Sequence, residues 1–341
     1  MKPNLLALAL TLTTAALPLA AAAPDYDPAD AAPCHRACLV AFMDRYAEAM
    51  LKHDPAGLPL SQDTRFTENT AQLRLGEGFL WRGTSKPTTF RYHIADPVFG
   101  GVALHAVYEI EGRPALVAIR LKVERHEITE VEHMVDRNVA PEAMELLRTP
   151  RDRLVNDVAK NERSTRAELI AVANSYFDAL TGDNGGAAAF ADDCVRHENG
   201  YQTVNNPQPG RASPSPRLPD PSTPNGRFMS SMSTMTCTQQ IDTKAFTHIT
   251  KIWPRRILIV DEQKGLVAAF PLFIHDGTRR PSEGYVGFPE IPKPTGLAMM
   301  LNMVTTEVFG IRGGRIHEVE AFPFITFAYG LGDGWTVGAG R

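Results

Sequence analysis

Two short stretches set an acid beside an asparagine: Glu68-Asn69 in "RFTENT" and Glu198-Asn199 in "VRHENG". A carboxyl group lodged in an apolar hollow has its pKa drawn up toward the working pH, which suits it to give or take a proton. The adjacent amide can orient that acid or hold a substrate carbonyl. His197 precedes Glu198, but in an extended segment neighbouring side chains point to opposite faces, so the two do not form a dyad. His275, at the end of the strand-like "FPLFIHDG", can reach a cavity rim, and His248 and Arg255-Arg256 in "THITKIWPRRILIV" could grip a carboxylate or phenolate.

Other chemistries find no support. "HEVE" at residues 317–320 and "HEITEVEH" at residues 126–133 bring His and acids close in sequence. Strand alternation separates His317 from Glu318 and Glu320, and His126 lies far along its strand from His133. No three ligands converge as they do in HExxH, and no metal is expected. A nucleophile elbow with its triad, a glycine-rich phosphate loop and a dinucleotide fingerprint are all missing, so no cofactor is expected either.

The elements that must position these residues occur twice. "LVAFMDRYAEAMLKHDPAGLPLSQDTRFTENT" from Leu39 aligns with "LIAVANSYFDALTGDNGGAAAFADDCVRHENG" from Leu169. Each begins with an amphipathic helix holding a tyrosine, Tyr46 or Tyr176, followed by a short second helical stretch and the Glu-Asn segment. Later portions match as well, and Ile128, Glu130, Glu132 and Met134 fall opposite Ile316, Glu318, Glu320 and Phe322. A period of about 130 residues is a whole domain repeated, not a solenoid unit. Helices followed by period-2 segments indicate an α+β domain in each copy. The expected plan is a first domain over 34–140, a charged helical linker over 141–166, a second domain over 167–330 with a Pro- and Ser-rich insertion at 205–227, and a tail at 331–341.

The chain has 341 residues, a formal net charge of −4 and no basic run, which argues against a nucleic-acid partner. Lys2, an uncharged apolar run from Leu5 and Ala20-Ala21-Ala22 read as a signal peptide over 1–22, leaving no membrane contact after cleavage. Export, to periplasm or medium, makes four cysteines a disulfide set. The parsimonious pairing is Cys34 with Cys38 and Cys194 with Cys237, the second closing a loop worth about 4 kcal/mol.

A helix with Tyr, a "GD" turn, "FADDCVRHENG" and strands ending in "GRIHEVEAF" resemble the SnoaL-like and ketosteroid isomerase superfamily, also called nuclear-transport-factor-2-like. That resemblance implies two tandem cone-shaped α+β barrels, and tandem exported proteins with the "ENG" segment resemble a fungal and bacterial group. In the isomerases a first-helix Tyr donates to a developing enolate oxygen, a carboxylate moves the proton, and a neutral strand acid completes the oxyanion hole. By resemblance these roles fall on Tyr176, Glu198 and Glu307, the last reached with a one-residue gap. The first-copy counterparts are Tyr46, Glu68 and Arg120. Asn199, His197, Asn69, His275 and Arg120 would line the substrate sites. The implied activity is a cofactor-independent isomerase, dehydratase or lyase acting on a small hydrophobic or aromatic oxygenated molecule. The alternatives are an exported binder of such molecules and a structural pseudo-dimer with closed cavities; a homodimer is compatible with each.

Overall fold

Leu39, Met43, Tyr46, Ala47 and Met50 recur with the spacing of one helical face and are the buried residues of α1 (Arg36–Leu51). After it come β1 (Leu60–Glu68), β2 (Ala71–Leu73), the short helix α2 (Gly78–Gly83), β3 (Thr84–Asp96), β4 (Gly101–Ile110), β5 (Arg113–Glu124) and β6 (Glu127–Asp136). They form one sheet in the order β2-β1-β6-β5-β4-β3, antiparallel except for the β1–β6 pair. Described in this computed structural model are residues 33–208, 220, 222–279, 285–289, 291 and 300–340. The expected signal peptide over 1–22 and much of the Pro-rich insertion lie outside them.

The linker is not one helix. It holds α3 (Pro141–Leu146) and α4 (Asp152–Val155), separated by Thr149-Pro150, where proline disfavours helical backbone at the residue before it. Thr165 and Glu168 then form a capping box that starts α5 (Arg166–Gly182), whose buried Leu169, Ala173, Tyr176, Phe177 and Leu180 repeat the spacing seen on α1. The second half continues with β7 (Phe190–Glu198), β8 (Tyr201–Val204), α6 (Pro224–Thr234), α7 (Cys237–Asp242), β9 (Lys251–Ile252), β10 (Ile257–Asp261), β11 (Leu266–Ala269), β12 (Leu272–His275), β13 (Leu301–Arg312) and β14 (Arg315–Ala328). Its sheet reads β8-β7-β14-β13-β11-β10, with β12 and β9 extending beside β13. The strand plan of the first half is therefore repeated, including a single parallel pair, β7 with β14.

Of the four apolar clusters among the described residues, three follow from this plan. One fills the space between α1 and the first sheet, and a second lies between α5 and the second sheet. A third joins the outer faces of the two sheets, where Phe90, Tyr92, Val107 and Leu116 meet Ile259, Phe270, Val308 and Phe322. Residues from Pro33 onward form one compact unit. Both expected disulfides are present, Cys34–Cys38 and Cys194–Cys237. Among the described residues no helix is long and apolar enough to cross a membrane.

Two local expectations change. The short second helical stretch expected before Glu198 is only one turn, Gly185–Ala187, and "FADDCVRHE" after it is strand β7, because it lies parallel beside β14 and exchanges backbone bonds with it. The 205–227 insertion ends in structure: Thr223 caps α6, which begins at Pro224.

Candidate active site

Strand register places three side chains in a row at equivalent points of each sheet. In the first half Glu68 pairs with His133, and His133 pairs with Ile119. In the second half Glu198 pairs with Ala321, and Ala321 pairs with Glu307. Neighbouring strands are about 4.8 Å apart, so the outer members of each row lie about 10 Å apart at the backbone with the middle residue between them. Imidazole stands in the middle of the first row and a methyl group in the middle of the second. This register also corrects the expected equivalence: Glu307 corresponds to Ile119, while Arg120 corresponds to Val308 and points to the other face.

The first row is closed by its own side chains. Trp81 Nε1 donates to Tyr46 Oη (2.9 Å), Tyr46 Oη meets His133 Nε2 (2.8 Å), and His133 Nδ1 lies 3.5 Å from Glu68 Oε2. Glu68 also accepts from the backbone N–H groups of Phe79 and Leu80 at the start of α2. Gly78, at φ 87°, makes room for this approach, since a Cβ there would stand 2.9 Å from the carboxylate. Burial raises the pKa of Glu68, but His133 and the two N–H groups outweigh it and hold the carboxyl below its ordinary value. Tyr46 is fully buried and its phenol is pushed up by that burial. Asn69 spends its side chain on the backbone of Val135. Glu68 and Tyr46 thus tie a helix start to a sheet.

The second row has no imidazole between its acids, and both acids line a cavity of about 550 Å³. Leu180, Phe246, Ile249, Phe273, Met303 and Phe324 supply apolar walls, and Arg196, Glu198, Asn199, Glu307, His248 and His275 supply polar ones. Arg196, two residues before Glu198 on β7, shares its face; its first-half counterpart is Phe66. Its Nη1 pairs with Glu198, its Nε donates to Tyr176 Oη (2.9 Å), and Gln240 Oε1 lies 3.5 Å from Nη1. Gln240 is fixed in turn: Thr236 caps α7 with a capping box, the Cys194–Cys237 bridge ties α7 to β7, and Gln240 Nε2 donates to Thr203 O (2.7 Å).

Glu307 is 1% exposed, and its Oε2 has no protein partner. Burial pushes its carboxyl up to about 8; Arg196 opposes the shift and Glu198 adds to it. Near neutral pH Glu307 is therefore a hydrogen-bond donor beside a paired carboxylate. His275 Nδ1 lies 3.2 Å from Leu301 O, a pure acceptor, so Nδ1 carries the proton and Nε2 presents a lone pair. Its ring stacks on His248 at 5.2 Å, and burial keeps His275 below the ordinary imidazole range.

Three expected site residues stand elsewhere. Tyr176 is buried behind Arg196 and does not line the cavity, because the guanidinium lies between the phenol and the open space. His197 faces the junction between the sheets, 3.0 Å from Glu318 Oε1, and Arg151 supplies the counter-charge to Glu318 and Glu320. Arg120 lies on the corresponding face of the first sheet, with Nε donating to Glu132 (2.9 Å) and Nη1 to Glu130 (2.7 Å). Asp136, Asn138 and Arg196 were not expected at the site. Strand alternation from Glu198 points to Arg196, whereas nothing local in the sequence points to Asp136.

The fold and site define an α+β protein with two like-ordered sheets, the second carrying a polar row inside an apolar cavity. A family model described as "Domain of unknown function (DUF8021)" matches residues 162–323. No curated protein matches the chain. Among solved structures, a steroid delta-isomerase from Pseudomonas aeruginosa is similar at 16% identity, over 29% of this chain and 79% of that one, with a TM-score of 0.24. An NTF2-like protein of unknown function from Cytophaga hutchinsonii is similar at 12% identity, over 29% and 89%, with a TM-score of 0.24. A de novo designed protein with a curved β-sheet is similar at 16% identity, over 33% and 93%, with a TM-score of 0.26.

Proposed function

We propose that the second half is a cofactor-independent acid–base enzyme, an isomerase, dehydratase or lyase, for a small, largely apolar molecule bearing a carbonyl oxygen. One observation carries this reading: Glu198 and Glu307, two strands apart in register, both line the cavity, Glu198 ion-paired with Arg196 and Glu307 buried without a partner for Oε2, its carboxyl pushed up to about 8. A buried acid that keeps its proton beside a second carboxyl group is suited to the donor half of a proton transfer, leaving the other to act as base. Glu307 and Arg196 donate to the carbonyl oxygen, and Glu198 takes a proton from the adjacent carbon to give an enol. Return of that proton to another carbon, with Glu307 recovering its own, isomerises the molecule. In a dehydration the proton on Glu198 instead passes to a β-hydroxyl, which leaves as water as the Cα–Cβ double bond forms, and Glu307 recovers its proton from the enol oxygen. Tyr176 acts through Arg196 as a positioning residue. Positioned proton transfer of this kind is worth roughly 10²–10⁴ in rate.

The first half serves as scaffold in this account, with its equivalent row closed by His133. The two disulfides suit an oxidising compartment and support the export suggested by the N-terminal sequence.

The test is incubation with pools of apolar ketones and aromatic hydroxy-carbonyl compounds, read by mass spectrometry and chromatography for isomers or loss of water. Wild type should convert at least one compound, and folded Glu198→Gln should convert none. Binding without conversion by either protein would replace the enzyme with a ligand carrier.

A further inference from the structure

Asn69 and Asn199 occupy equivalent turns. Both have φ of 47°, and each backbone N–H bonds to the carbonyl of the middle residue of its row, His133 or Ala321. Their side chains do different things. Asn69 clamps the backbone two residues past His133, accepting from Val135 N–H at 2.8 Å and donating to Val135 O at 3.0 Å. Two residues past Ala321 stands Pro323, which has no N–H to give. The second clamp cannot form.

Asn199 Nδ2 instead donates to Asp136 Oδ2 (3.2 Å), an acid from the last strand of the first half. Asp136 also accepts from Asn138 N at 2.8 Å. A carboxylate can only accept, so it fixes the amide's orientation and turns the NH₂ group toward itself. Asn199 Oδ1 is left without a protein partner on a residue that is 9% exposed and lines the cavity. A buried amide oxygen left unpaired is unfavourable, and a donor that enters the cavity relieves it.

We propose that Asn199, oriented by Asp136, is the acceptor of a ligand subsite, and that the molecule bound there carries a hydroxyl or N–H group in addition to its carbonyl oxygen. The carbonyl part of this statement rests on the acid–base reading above; the donor part rests on the Asn199–Pro323 geometry alone. Asn199 lies three residues beyond Arg196, just past the end of β7, and both line the cavity. The two polar atoms of the ligand therefore meet different groups of the same wall, with the apolar side chains of the cavity around the body between them. A hydroxyaryl ketone has this pattern. The site is also composite, since the second half would orient Asn199 only with Asp136 from the first.

The probes are 6-hydroxy-2-acetonaphthone and 2-acetonaphthone, titrated by fluorescence and calorimetry against the full mature chain. Wild type should bind the hydroxyl compound about tenfold more tightly, and Asn199→Gly, which keeps the left-handed turn and loses the acceptor, should bind both alike. Glu307→Gln should leave the tenfold ratio in place. Equal affinities in wild type, or a ratio that survives in Asn199→Gly, overturn the subsite while leaving the acid–base reading standing. Failure of both compounds to bind at millimolar concentration overturns the proposed ligand class. Loss of conversion in Glu198→Gln with the tenfold ratio intact supports both readings.

Discussion

Replacing Glu307 with Gln keeps the shape of the side chain and removes its titration. The carboxyl holds its proton up to about 8 in the folded protein and ionises near the ordinary value of 4.5 once exposed. Below 4.5 the folded and unfolded states are both protonated, and the group adds no pH dependence. Between 4.5 and 8 the folded state retains a proton that the unfolded state has lost, so stability falls as pH rises. Above 8 both are ionised and the slope ends. Each unit in this window costs about 1.4 kcal/mol, which makes the span from pH 6 to pH 9 worth about 3 kcal/mol. Urea unfolding followed by tryptophan fluorescence at both pH values measures it, and subtracting the variant from wild type cancels the other titrating groups. Wild type should lose about 3 kcal/mol more than Glu307→Gln over that range. Equal losses would show that Glu307 ionises normally in the folded protein, and the donor role assigned to it would fall.

Other perturbations test the comparison of the two rows. Ala321→His places imidazole where His133 stands in the first half; ligand binding should be lost while the thermal midpoint stays within a few degrees of wild type. His133→Ala removes the partner shared by Tyr46 and Glu68 and should cost about 2–4 kcal/mol of stability by urea unfolding. Replacing Cys194 and Cys237 together with Ser should cost about 4 kcal/mol by the same measurement and weaken binding, because α7 carries Gln240 to Arg196.

The repeated strand order is legible in the sequence because Leu39, Tyr46 and Glu68 recur at a common offset as Leu169, Tyr176 and Glu198, and because hydrophobic alternation survives in the last strands. Arg196 was within reach: counting back two positions from Glu198 along a strand puts it on the same face. The gap that set Arg120 opposite Glu307 was unnecessary, since the β5–β6 and β13–β14 hairpins turn at equivalent points. The short second helical stretch shrinks to a single turn at Gly185–Ala187, because the residues after it pair with β14 as strand. Asp136 and the freed amide of Asn199 were beyond local reading: the first comes from the other half, and the second depends on Pro323 lying beside a turn over a hundred residues earlier.

The most direct test is solvent exchange at the carbon next to a bound carbonyl. In D₂O, wild type and Glu198→Gln are each incubated with cyclic aryl ketones such as 2-tetralone, and deuterium incorporation is followed by proton NMR. Glu198 acting as base predicts exchange well above the buffer rate in wild type, and buffer-rate exchange in a variant whose circular dichroism and melting match wild type. Equal rates in the two proteins, with ligand bound in both, would contradict the claim that this carboxylate moves a proton.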